Sequence, residues 1–227
     1  MTTDEHRNFY GRRHGKTLKP NHRQWLAEDL PRLSLPGVSR DENPERVPLD
    51  LAARFGGRPV WLEVGYGGGE HLAGLAAAHP EVGLIGCEPF VNGTAMLLGK
   101  LREAGVSNVA LHPGDARDLM DVLPEGALSR AYLLYPDPWP KHRHHRRRFV
   151  TDEHLVPLAR ALTPGGLFRL ATDIPDYVRQ ALREVPPAGF ELIRHERTPW
   201  EGWRSTRYER KALREGRVPD YLEFVRR

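Results

Sequence analysis

From Pro59 onward, short apolar runs alternate with segments of helical spacing, and this alternation restricts the fold more than any other feature of the chain. The runs at 60–64, 82–87, 109–112, 131–135 and 167–171 have the length of strands, and helical patterns fill the gaps at 70–78, 91–104, 115–123, 152–162 and 176–185. Regular succession of strand and helix is the pattern of an α/β, doubly wound, mostly parallel sheet. Two last runs, 190–195 and 221–225, are expected to pair as an antiparallel edge. Upstream, Trp25, Leu26, Leu30 and Leu33 have helical spacing, and 49–55 is a short amphipathic stretch that Gly56-Gly57 ends.

A chain of 227 residues can fill one core of this kind. A single domain over 22–227 is expected, preceded by a basic arm over 1–21 that has too little apolar content to order alone. The formal net charge is only +4, but the cations cluster near Arg12, Lys141 and Arg204. A local stripe of guanidinium groups attracts a polyanion whatever the sum, so a nucleic acid is the expected partner. The single cysteine, Cys87, has no intrachain partner and reads as a buried thiol in a reducing compartment. The N-terminus lacks the apolar segment of a signal peptide, and no run approaches the ~20 residues of a membrane span. A cytoplasmic location without membrane association is expected, and nothing marks an obligate protein partner.

In a doubly wound sheet, ligands bind beyond the carboxyl ends of the strands. Here each such end carries a polar or flexible residue. The first leads into Glu63-Val64-Gly65-Tyr66-Gly67-Gly68-Gly69-Glu70, a glycine-rich turn that lets a ligand approach backbone amides. Glu88 follows the second, where an acid can accept both hydroxyls of a ribose. Asp115, Asp137 and Thr172-Asp173 follow the third, fourth and fifth. The dinucleotide fingerprint requires glycine where this chain has Glu70, and acids beside the loop oppose a pyrophosphate. Glu63 is expected to face the loop, which favours a sulfonium ligand, S-adenosylmethionine, over a nicotinamide dinucleotide. Each acid also has a plainer reading: Glu63 satisfied within the fold, Asp115 as a helix cap.

The run from Leu134 to Arg148 sets Asp137 between Pro136 and Pro138, then Trp139, then Lys141, Arg143, Arg146, Arg147 and Arg148. Trp139 offers a stacking face for an unstacked base, its alternative being a core tryptophan. The cations are expected to meet phosphates. His142, His144 and His145 lack the spacing and company of a metal site, and no metal is expected. Thr206 and Glu209 have the spacing of a capping box.

Taken together, Leu62-Glu63-Val64-Gly65-Tyr66-Gly67-Gly68-Gly69-Glu70-His71, Gly86-Cys87-Glu88-Pro89, Asp115-Ala116, Pro136-Asp137-Pro138-Trp139-Pro140-Lys141, Thr172-Asp173 and Thr206-Arg207-Tyr208-Glu209 closely resemble the bacterial tRNA (guanine-N7-)-methyltransferase family, TrmB. The resemblance implies a class I, Rossmann-like, S-adenosylmethionine-dependent methyltransferase fold. It also implies that the methyl acceptor is N7 of the variable-loop guanine of tRNA, position 46. Carried over by position, it puts Glu63, Gly65, Gly67, Glu88, Asp115 and Asp137 at the donor and makes Asp137 the catalytic candidate. Lys141, Asp173, Thr206, Arg207, Tyr208 and Glu209 fall to the tRNA. The family usually has lysine where this chain has Arg207, which keeps the charge and changes the hydrogen-bond geometry. Two rivals remain at this stage: a methyltransferase of exocyclic amines using Asp137 as proton acceptor, and a noncatalytic RNA-binding protein on the same fold.

Overall fold

A computed structural model describes residues 10–227. Seven strands form one sheet: β1 (Val60–Val64), β2 (Gly83–Cys87), β3 (Val109–His112), β4 (Leu128–Leu134), β5 (Leu162–Thr172), β6 (Phe190–Glu196) and β7 (Asp220–Arg226). Their order is β3-β2-β1-β4-β5-β7-β6, parallel throughout the first five and antiparallel where β7 pairs with β5 and with β6. The antiparallel strand therefore sits one place in from the edge, and β6 is the outermost strand.

The helices are α1 (Pro20–Glu28), α2 (Leu30–Leu33), α3 (Leu51–Phe55), α4 (Glu70–Ala78), α5 (Val91–Ala104), α6 (Ala116–Val122), α7 (Asp152–Ala161), α8 (Pro175–Glu184) and α9 (Arg207–Arg214). They cover both faces of the sheet, which is why the parallel strands are apolar without alternation. One face packs Leu62, Ile85 and Phe168 under Leu119, Leu155 and Tyr177 of α6, α7 and α8. The other packs Trp61, Leu84 and Tyr132 under Leu72 and Leu97 of α4 and α5, with Trp200 and Tyr221. Among the described residues no helix is long and apolar enough to cross a membrane.

Several boundaries differ from the sequence reading, among them the start of β4 at Leu128 in place of 131. β5 begins at Leu162, ahead of the expected 167, because Leu162 pairs with Leu128 across a register shift and Gly165 takes a φ of +79°. The expected arm lies partly outside the described residues; in the described part, Arg13 accepts the Val91 amide and Gly15 donates to Asn92. Pro20 and Asn21 already belong to α1.

Candidate functional site

The strand order turns back between β1 and β4, and such a switch leaves a crevice at the carboxyl ends. A cleft of about 490 Å³ opens there. Its floor is built from Val64, Gly65, Gly67, Cys87, Glu88, Gly114, Asp115 and Leu133, and its rim from Tyr10, Arg12, Asp137, Trp139, Arg146, Arg147 and Tyr208.

The loop after β1 owes its shape to glycine. Gly65, Gly67 and Gly69 have φ of +73°, +53° and +76°, a region open to glycine at little cost. A side chain at Gly65 would meet nothing within 4 Å, so space stands open beside it. Glu88 ties this loop to the start of α5: its two carboxylate oxygens accept the amides of Gly67 at 2.8 Å and Phe90 at 3.0 Å. Burial raises the Glu88 pKa; those two amides pull it down, the negative charge of Asp137 adds to the rise, and the net direction is upward. Asp115 caps α6 by accepting the Arg117 amide at 2.9 Å and pairs with the Arg117 guanidinium at 2.6 Å. Burial pushes its pKa up, but the Arg117 hydrogen bonds outweigh that and hold it below the ordinary aspartate value. The capping reading of Asp115 and its place on the cleft wall are both true.

Glu63 is different. Alternation along β1 puts it on the face of Trp61, where it is 2% exposed and its Oε2 lies 2.7 Å from His71 Nδ1. It does not line the cleft. The structure pairs the Glu63 carboxylate, expected to face the glycine loop, with a histidine in the first turn of α4, the helix that loop opens, packed against Tyr132 and Trp203.

The loop after β4 carries Asp137 on the cleft wall. Surrounding protein strips enough water from this carboxylate to raise its pKa, although part of the side chain meets solvent. The backbone turns through positive φ at Tyr135 (+50°) and Trp139 (+40°), conformations that cost a residue with a side chain roughly 1–2 kcal/mol each. Arg148 holds that turn. It is 1% exposed, and its guanidinium donates to Pro138 O at 2.8 Å, Trp139 O at 3.4 Å, Gln180 Oε1 at 2.8 Å and Asp176 Oδ2 at 2.8 Å. Arg148 was expected on a phosphate; the structure makes it an internal brace between the Asp137 loop and α8. The residues between, His142–Arg147, form a 3-10 turn; Lys141 just before it and Arg143 and Arg146 within it are exposed.

Beyond β6, Thr206 accepts the Glu209 amide at 3.1 Å and caps α9. The reciprocal half of a capping box is not made, because the Glu209 carboxylate accepts Trp203 Nε1 at 2.9 Å and the Tyr221 hydroxyl instead. Glu209 is buried; Arg207 lies along the Tyr208 ring, and Tyr208 packs over Gly67. Asp173 pairs with Arg217. Of the residues that the resemblance assigns to the donor or the tRNA, Gly65, Gly67, Glu88, Asp115, Asp137 and Tyr208 converge on the cleft. Glu63, Lys141, Asp173, Thr206, Arg207 and Glu209 do not line it. Tyr10 and Arg12 do, and went unassigned to it; a lone aromatic in a basic arm carries no periodic signal.

This acid-floored, cation-rimmed cleft lies within a region, residues 57–219, that matches a family model described as "Putative methyltransferase". The tRNA (guanine-N(7)-)-methyltransferase of Cereibacter sphaeroides is 68% identical over 97% of this chain and 91% of its own length. That of Paracoccus denitrificans is 65% identical over 97% and 95%. Among solved structures, a mutant 16S rRNA (adenine(1408)-N(1))-methyltransferase from Catenulisporales acidiphilia with cosubstrate SAM superposes with a TM-score of 0.57. It is 18% identical, over 78% of this chain and 90% of that one, which speaks to the fold alone.

Proposed function

The chain belongs to the tRNA (guanine-N(7)-)-methyltransferase family, and we propose that its cleft transfers a methyl group from S-adenosylmethionine to N7 of the variable-loop guanine of tRNA. The observation that carries this reading is the meeting of Glu88, Asp115 and Asp137, each from a different strand end, in one cleft ringed by arginines. The cleft fits the donor in chemistry as well as place. Glu88 is already fixed by two amides and keeps acceptor capacity for ribose hydroxyls. The open space beside Gly65 admits close backbone approach. An acidic floor tolerates a sulfonium.

When bound, the donor supplies an electrophilic methyl on a positively charged sulfur. Gly65, Gly67, Glu88 and Asp115 would hold it. Guanine N7 carries an exposed lone pair and no proton, so no residue need act as general base. What the chain must do is orient N7 toward the methyl and exclude water, an effect that can be large. Methyl transfer places positive charge on the guanine ring, and Asp137 is the group positioned to offset it. At ~4 Å and an effective dielectric of about 20, a full charge pair is worth about 4 kcal/mol, an upper bound on that differential. Burial of Glu209 and Thr206 fits a supporting role for them, holding the start of α9 so that Tyr208 meets the cleft with Arg207 along its ring. Exposed Lys141, Arg143 and Arg146 supply the phosphate track, and Asp173, paired with Arg217, is a further candidate for the tRNA. The residues from α1 onward act as one catalytic domain with the basic arm before it as accessory, meeting tRNA in the cytoplasm.

The test is the product. Purified protein incubated with labelled donor and unmodified tRNA should yield 7-methylguanosine on nuclease digestion; label in methylated adenosine or cytidine would overturn the reading.

A further inference from the structure

Arg147 and Arg148 are neighbours in one basic run, and the fold treats them differently. Every arm of Arg148 is engaged inside the protein. Arg147 turns to the cleft, half-buried, with its guanidinium carbon 4.5 Å from the ring centroid of Tyr10 and 5.0 Å from that of Trp139. No acid pairs with it among the described residues, and its Nε is shielded from solvent without an acceptor. A shielded donor lacking a partner is uncommon in folded proteins, and an incoming acceptor removes its cost. Arg146, exposed at the same rim, remains hydrated and has no such deficit.

We propose that Arg147 is the residue that selects guanine, donating to O6 of a base stacked on Trp139. This rests on the reading of the cleft as the guanine-N7 site. The edge of guanine that carries N7 presents two acceptors, N7 and O6, whereas adenine presents N7 and the N6 amino donor. N7 must keep its lone pair for the methyl, so O6 is the acceptor left for a protein donor. A guanidinium donates to guanine O6 there and meets the adenine amino group donor against donor. Guanidinium groups stack on aromatic faces and keep a planar N–H fork, so one layered with Trp139 offers its edge to a purine in the same layer; lysine has no such plane. A donor at O6 withdraws electron density from the ring, so the contact selects and orients the base while Asp137 offsets the charge that forms.

The experiment pairs a base change with a residue change. Two tRNAs are assembled that differ only at the target nucleotide, one with guanine and one with 2-aminopurine, which keeps N7 and lacks O6. Single-turnover methylation of each is measured with the wild type, Arg147→Ala and Arg147→Lys. Wild-type protein should prefer guanine by on the order of 10–100-fold, the span of one good base contact. In both variants that preference should shrink by at least roughly tenfold, guanine losing most, since intrinsic differences between the bases cancel in the ratio of ratios. The salt dependence of tRNA binding should stay unchanged. If the variants slow both tRNAs equally, or flatten the salt slope, Arg147 is a phosphate contact and the proposal fails. A wild-type enzyme that leaves the guanine tRNA unmethylated would instead sink the reading of the cleft. Donor binding and thermal unfolding of Arg147→Lys establish that its cleft is intact.

Discussion

The loops after β1 and β4 flank one cleft and reach their shapes by opposite routes. Gly65, Gly67 and Gly69 turn the first loop through positive φ with no side chain to obstruct it, leaving backbone and open space. The second loop makes comparable turns at Tyr135 and Trp139, which keep their rings. Glycine makes a strained shape inexpensive and featureless. Aromatic residues in the same conformations supply a stacking face, and the cost of holding them passes to Arg148 and its partners on α8. The backbone turns of the first loop are therefore allowed locally by glycine, whereas those of the second are held by tertiary structure.

Removing the brace is the hardest blow to this contrast. Arg148→Ala frees the Pro138 carbonyl, Gln180 and Asp176 together, and stability should fall by about 3 kcal/mol in urea unfolding. A loss under about 0.5 kcal/mol, the ordinary range of surface changes, would mean the loop holds itself.

Next in size is Asp137→Ala, expected to lower turnover on the order of 10²-fold while tRNA affinity stays nearly intact. The pH profile gives the same role a sign. Loss of water around the carboxylate raises the Asp137 pKa although the residue as a whole is exposed, so it takes up a proton at a higher pH than an ordinary aspartate. Turnover should fall as pH drops through that raised value, with Glu88, also raised, titrating beside it. Asp137→Asn should remove the Asp137 part of that acid limb; an unaltered limb would assign it wholly to Glu88 and the donor.

The smallest effect tests the glycine loop. Gly65→Ala introduces no clash, only a side chain at a φ of +73°, so about 1–2 kcal/mol of stability should be lost and donor binding weakened, with tRNA binding unmoved. Equal weakening of donor and tRNA binding would show that the two loops move as one.

Much of the layout was legible because it is written in short-range pattern. Apolar periodicity marked the strands, and the residue just past a strand in a parallel sheet stands at the crevice, which located Glu88, Asp115 and Asp137. Glu63 shows the limit of that rule. It lies within β1, and its parity with Trp61 places it on the α4 face of the sheet, buried against His71. The basic run has no period that distinguishes Arg147 from Arg148, and a 3-10 turn of six residues decides which one meets solvent, cleft or core. Tyr10 reaches the cleft only because Arg13, Gly15 and Lys16 hydrogen-bond to the start of α5.

By itself, then, the sequence determined the sheet, the glycine turn and the acids at its carboxyl edge, since propensity and alternation act between near neighbours. The tertiary structure decided which charges became ligand-facing and which became braces. A buried charge must find its partner wherever packing brings one, and for Glu63, Arg148 and Glu209 those partners came from other elements.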